Sequence, residues 1–174
     1  MGKLLFSPKG RISPLSFLKG FGLIVLLQAL ITMLGAFNLA ASSALALLSL
    51  LLFYPVICLL IKRNHDGGKS GWVSIVWLIL FIIIWFIVTS IAQNMTGGDI
   101  LAEMKELTQA ALEDGDLGAM LALAEEYAEP LAKKTSVATG AARFVGLMVA
   151  AFVMNLIIGA DKGENQYGPV PVSV

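Results

Sequence analysis

Between Lys19 and Lys62 the chain carries no charged residue. At ~1.5 Å of rise per residue this run can cross a ~30 Å hydrocarbon layer twice. Backbone amides and carbonyls find no water in lipid, so the run is predicted to be a pair of α-helices. The softer, smaller residues 38–43 mark the reversal, giving a first span near 20–37 and a second near 43–61 that Pro55 should kink. A further uncharged stretch, 70–98, presents Ile, Leu, Phe and Trp on every face of its centre and predicts a third span. The fourth, 141–160, is broken up by Gly146, Ala150 and Ala151, and Arg143 in its first turn is expected to snorkel to the outer interface. The third span should be the most lipid-exposed and the fourth, with its small-xxx-small spacing, the most buried.

Composition agrees with lipid as the main solvent: 57% of residues are hydrophobic and 14% charged, where a soluble domain is about a quarter charged. The zero formal net charge gives no reason to expect a nucleic-acid partner. Cys58 stands alone, so neither an intrachain disulfide nor a Cys-based metal cluster can form; it is read as a packing residue. A signal peptide is rejected because the first apolar run exceeds an h-region and continues into a second span.

Orientation follows from the basic residues. Lys3, Lys9, Arg11 and Lys19 precede the first span, and Lys62, Arg63 and Lys69 separate the second from the third, whereas the loop between the first two has no charge. The positive-inside rule therefore predicts both termini in the cytoplasm. Residues 93–139 then lie outside. They read as two short amphipathic helices that break at Asp114, Gly115 and Asp116, with Pro130 ending the second. Nine acidic residues against three basic ones, Lys105, Lys133 and Lys134, would repel anionic headgroups, so this segment should pack on itself or on the bundle rather than lie on lipid. The chain thus divides into 1–92, with a cytoplasmic start and three spans; 93–139, an acidic extracytoplasmic helical insertion; and 140–174, with the last span and a cytoplasmic tail.

Three polar motifs fall on the predicted cytoplasmic face. They are Phe6-Ser7-Pro8-Lys9-Gly10-Arg11, then Arg63-Asn64-His65-Asp66 followed by Ser70-Gly71-Trp72, and finally Gly163-Glu164-Asn165-Gln166-Tyr167-Gly168-Pro169. One reading is structural, with Lys62 and Arg63 snorkelling, Trp72 anchoring the third span, His65 hydrogen-bonded to Asp66, and Tyr167 at headgroup level. The sharper reading joins Arg11, Arg63, His65, Asp66, Ser70, Trp72, Asn165 and Tyr167 into one site for an anionic group. No second His or Cys stands beside His65, so no metal, cofactor or catalytic set is assigned.

These three motifs resemble the YhaH-like bacterial inner-membrane family, catalogued as domain of unknown function 805, whose pattern is F-x-x-x-G-R, R-x-H-D with S-G-W, and G-x-N-x-Y-G-P. The resemblance implies an all-α, polytopic bundle of four transmembrane helices in the bacterial inner membrane. Two departures stand out: the family's second basic residue after Arg11 is replaced by Ser13 and Pro14, and the amphipathic hairpin between the third and fourth spans looks inserted. The expected function is non-enzymatic, acting through membrane lipid, a homo-oligomer or a membrane-protein partner. The alternatives are a channel or transporter subunit, for which Gln28, Thr32, Ser49 and Asn155 are the mid-span polar candidates, and an interface enzyme using His65 and Asp66.

Overall fold

In the computed structural model, which describes residues 5–37 and 39–171 (backbone only over 39–43), the spans form as helices. Helix α1 runs Pro14–Phe37. Helices α2, Leu39–Leu51, and α3, Phe53–Asp66, make one span interrupted at Leu52. Pro55 has no N–H for the carbonyl of Leu51 and its ring crowds that carbonyl, which places the interruption just upstream of the proline. Helix α4 is Val73–Glu113 and α5 is Leu117–Ile158. Four helical segments are long and apolar enough to cross a membrane. Together with the lipid-like composition, they make the chain a multi-pass membrane protein.

The core is built around α1. Phe17, Phe21, Ile24 and Val25 pack against Leu59 and Leu60 of α3, Phe81 of α4, and Leu147, Ala151 and Met154 of α5. Phe21 joins two ring contacts, to Phe17 at 5.4 Å and Phe81 at 5.0 Å between centroids. The outward faces carry Phe86, Val149 and Leu156 fully in the open, as a lipid-solvated bundle requires. The third span is the least buried, 11% of its apolar window, as expected. The first, not the fourth, is the most buried, at 39% against 28%. The reason is position: α1 sits between α3 and α5, while α5 keeps one face toward lipid. Gly146 does serve close packing, because a Cβ there would lie 2.7 Å from Val88 Cγ1 across the α4–α5 contact.

The segment between the third and fourth spans departs from expectation in two respects. Its two helices are not separate elements but direct continuations of α4 and α5, whose 41 and 42 residues reach ~60 Å, about twice the hydrocarbon thickness. They reverse at Asp114–Asp116, where Asp116 caps α5 by accepting from the Ala119 N–H at 2.9 Å. Pro130 lies inside α5 and does not end it. It sits on an exposed face, where water can take the hydrogen bond that Pro denies the carbonyl of Glu126. The only non-helical residue within α4 is Gly97, with φ −127° and ψ 22°.

Two polar side chains within the spans, Gln28 and Arg143, bond between helices. Gln28 of α1 donates to the carbonyl of Ser49 at 2.9 Å. Arg143 is bound between helices. Its Nε donates to Thr89 Oγ1 at 2.8 Å, its Nη1 to Thr32 Oγ1 at 3.2 Å, and its guanidinium lies 4.1 Å from the centre of the Trp85 ring. Two neighbouring helices, α1 and α4, therefore hold it through hydroxyls and a cation–π contact.

Candidate functional site

All three polar motifs meet at one end of the bundle, the face bearing residues 6–13, the 67–72 turn and the tail after α5. Arg11 stands at their centre with its side chain 1% exposed. Its Nε donates to Asp66 Oδ1 at 3.2 Å, its Nη1 to the carbonyls of Gly163 and Gly168 at 2.7 and 3.2 Å, and its Nη2 to those of Asp161 and Asp66 at 2.7 and 3.4 Å. The planar fork of a guanidinium suits such a task, since one side chain can fasten several carbonyls from different segments.

Arg63 repeats the arrangement one layer deeper. Fully buried, it donates from Nη1 to Asp66 Oδ2 at 3.0 Å, from Nη2 to the Asn155 carbonyl at 3.1 Å, and from Nε to Asn155 Oδ1. Asp66 thus divides its two oxygens between two arginines, and neither charge is left alone in a poorly solvated place. Lys62 and Arg63 were expected at the headgroups, but both are buried, at 4% and 0% exposed. Helix rotation explains this for Arg63: it shares a face with Asp66 three residues on, and that face looks into the bundle. The contact is close enough to demand glycine. A Cβ on Gly67 would lie 2.7 Å from the Ile158 carbonyl oxygen, so the end of α3 can pass the end of α5 only without a side chain there.

His65 does not pair with Asp66, because neighbours on a helix point ~100° apart. Its Nδ1 lies 3.1 Å from the Gly10 carbonyl, its ring stacks on Tyr167 at 3.8 Å and 5°, and its own carbonyl accepts from Asn165 Nδ2 at 3.0 Å. Since a carbonyl only accepts, Nδ1 carries a proton and the neutral ring keeps its lone pair on Nε2, beside the Gly71 turn. Tyr167 is therefore held by His65 rather than standing at headgroup level. It belongs to a tight turn in which Asn165 and Gly168 exchange backbone hydrogen bonds at 3.2 and 2.9 Å. Asn165 Oδ1 also accepts the Tyr167 N–H at 3.0 Å.

The structure thus brings Arg11, Arg63, Asp66, His65, Asn165 and Tyr167 into one network. Ser70 and Trp72 stay on its rim, Trp72 with 79% of its surface exposed. Between network and rim runs a groove of about 470 Å³, whose floor is Leu60, Ile61 and Leu78 and whose edge is His65, Ser70, Trp72 and Tyr167. Asn155 is the network member that motif reading did not place here, although it was noted as a polar residue within a span. Chemically, both guanidiniums are occupied by protein acceptors, so the arrangement closes the face rather than offering an open anion site. Asp66, committed to the arginines, is not oriented to support His65 as a base. Among the described residues no group of three or more His, Cys, Asp or Glu is placed to hold a metal ion.

Comparison with curated proteins and with solved structures finds no match. A family model does match, over residues 5–101, more than half of the chain; it takes in the first two motifs and ends in the first arm of the hairpin. The chain belongs to the family described as "Protein of unknown function (DUF805)".

Proposed function

We propose that this is a non-enzymatic protein of the bacterial inner membrane, with its closed polar face in the cytoplasm and its groove beside His65 occupied by a lipid acyl chain. The observation that carries the reading is the groove itself: a wall of Leu60, Ile61, Ile75 and Leu78 topped by His65, Ser70 and Tyr167. Apolar depth and polar mouth match an amphiphile lying across the interface. Ile57 and Ile75 at its sides are exposed, at 36% and 47%, which suits chains arriving from the bilayer. Trp72 at the mouth has the amphipathic ring favoured at headgroup depth. The basic residues of the first two motifs support the cytoplasmic assignment, and the acidic 93–139 hairpin would then lie outside as an insertion.

The saturated arginines favour a lipid chain over a headgroup anion as what this site recognises. A phospholipid carrying a photoreactive diazirine on its acyl chain tests this with the full-length protein in vesicles. Adducts should concentrate on Ile57, Ile61, Ile75 and Leu78 and persist in His65→Gln. Labelling no stronger there than at Ile83 or Phe86, which face lipid elsewhere, would overturn the reading.

A further inference from the structure

Both arginines of the polar face, Arg11 and Arg63, are answered by Asp66 and by backbone carbonyls, but Arg143 has no acid beside it. It lies about 22 Å along α5 from Ile158, and its partner Thr32 about 27 Å along α1 from Pro14, in the leaflet on the hairpin side. Among the described residues no carboxylate contacts it, whereas Arg11 and Arg63 pair with Asp66, Lys133 with Glu129, and Lys134 with Asp99. Both hydroxyls that hold it are committed in one direction. Thr32 Oγ1 donates to the Gln28 carbonyl at 2.9 Å and Thr89 Oγ1 to the Trp85 carbonyl at 2.6 Å, so each turns a lone pair to the guanidinium. Those contacts and the Trp85 face fix the orientation of the fork but supply no negative charge. Its remaining N–H donors have no partner among the described residues, and the residue is only part-buried.

A second observation lies on the same helix face. Thr139 and Ser136, four and seven residues before Arg143, are both 3% exposed, and among the described residues their hydroxyls have no hydrogen-bond partner. Positions i, i−4 and i−7 form one stripe, running from Arg143 toward the hairpin side, where headgroups begin. A buried hydroxyl without a partner is costly, and an uncompensated cation within a span more so.

We infer that Arg143, with Thr139 and Ser136, binds a phosphate group, supplied by a phospholipid headgroup drawn in from the hairpin-side leaflet. Phosphate fits because its oxygens accept the guanidinium fork bidentately and bring the missing charge. Native mass spectrometry of the full-length protein in detergent, with phosphatidylglycerol, diacylglycerol of the same chains and inorganic phosphate, tests it. The wild type should retain one more phosphatidylglycerol than Arg143→Gln, with affinity at that site about tenfold or more higher, while diacylglycerol binding is the same in both. A Ser136→Ala/Thr139→Val double variant keeps the cation and its anchors and should weaken that one lipid selectively, which guards against misfolding of Arg143→Gln. Displacement of the lipid by inorganic phosphate supports an anion site open to soluble phosphate, and resistance to displacement supports the headgroup source. Equal retention by wild type and both variants, or diacylglycerol held as tightly as phosphatidylglycerol, would overturn the inference.

Discussion

The two ends of the bundle handle charge in opposite ways. At the polar face, Arg11 and Arg63 share Asp66 in a network from which solvent is almost absent. On the far side the ion pairs Lys133–Glu129 and Lys134–Asp99 join side chains 44–70% exposed. Ion pairs in water contribute little, because each partner is nearly as well served by solvent. Buried pairs are unequal in another sense: forming them gives a small net gain, yet removing one member strands the other. The location of a salt bridge therefore says more about its role than its length does, and the polar face is where a single substitution should be felt.

The sharpest way to break this contrast is Asp66→Asn, which removes one carboxylate from two buried guanidiniums. We expect a loss of about 3–5 kcal/mol in unfolding free energy, read as an early midpoint in dodecyl-sulfate titration of mixed micelles. A midpoint within error of wild type would show that the network is hydrated enough to tolerate an unbalanced charge. Gly67→Ala should follow at about 1–3 kcal/mol, since its methyl meets a backbone carbonyl that cannot rotate away. The same titration measures it, and an unchanged midpoint would mean that the ends of α3 and α5 are not in contact. The smallest effect belongs to Lys134→Ala on the hairpin. No shift in melting temperature is expected, and a clear destabilisation would assign the hairpin pair a strength that its exposure argues against.

Much of this architecture could be read in advance from where charge is missing. The uncharged runs after Lys19 and before Asp99 marked three spans, and the motifs around Arg11, Asp66 and Tyr167 announced that one face would be polar. What escaped depends on rotation about helix axes and on contacts between distant segments. Arg63 meets Asn155 across 92 positions of sequence, and no local pattern encodes that meeting. The i, i+3 spacing of Arg63 and Asp66 was a usable signal, whereas the tempting neighbour pair His65–Asp66 was geometrically excluded. Pro130 misled for a similar reason: a helix break depends on whether water can reach the freed carbonyl, and that is a property of the surface. The hydroxyl partners of Arg143, Thr32 and Thr89, belong to other helices and likewise left no local signal.

The network around Arg11 also sets an order of events during biogenesis. Arg63 and Asp66 can find each other within one helical turn as soon as that segment leaves the ribosome, and Arg11 can reach Asp66 once the first two spans stand side by side. The carbonyls of Asp161, Gly163 and Gly168, which take the rest of Arg11's hydrogen bonds, lie after α5 and are synthesised after every span. Until then Arg11 is a half-answered cation at the mouth of an open bundle. A chain interrupted after its third span or after Ile158 leaves it so, and addition of the segment that follows α5 is what turns a set of inserted helices into a sealed one.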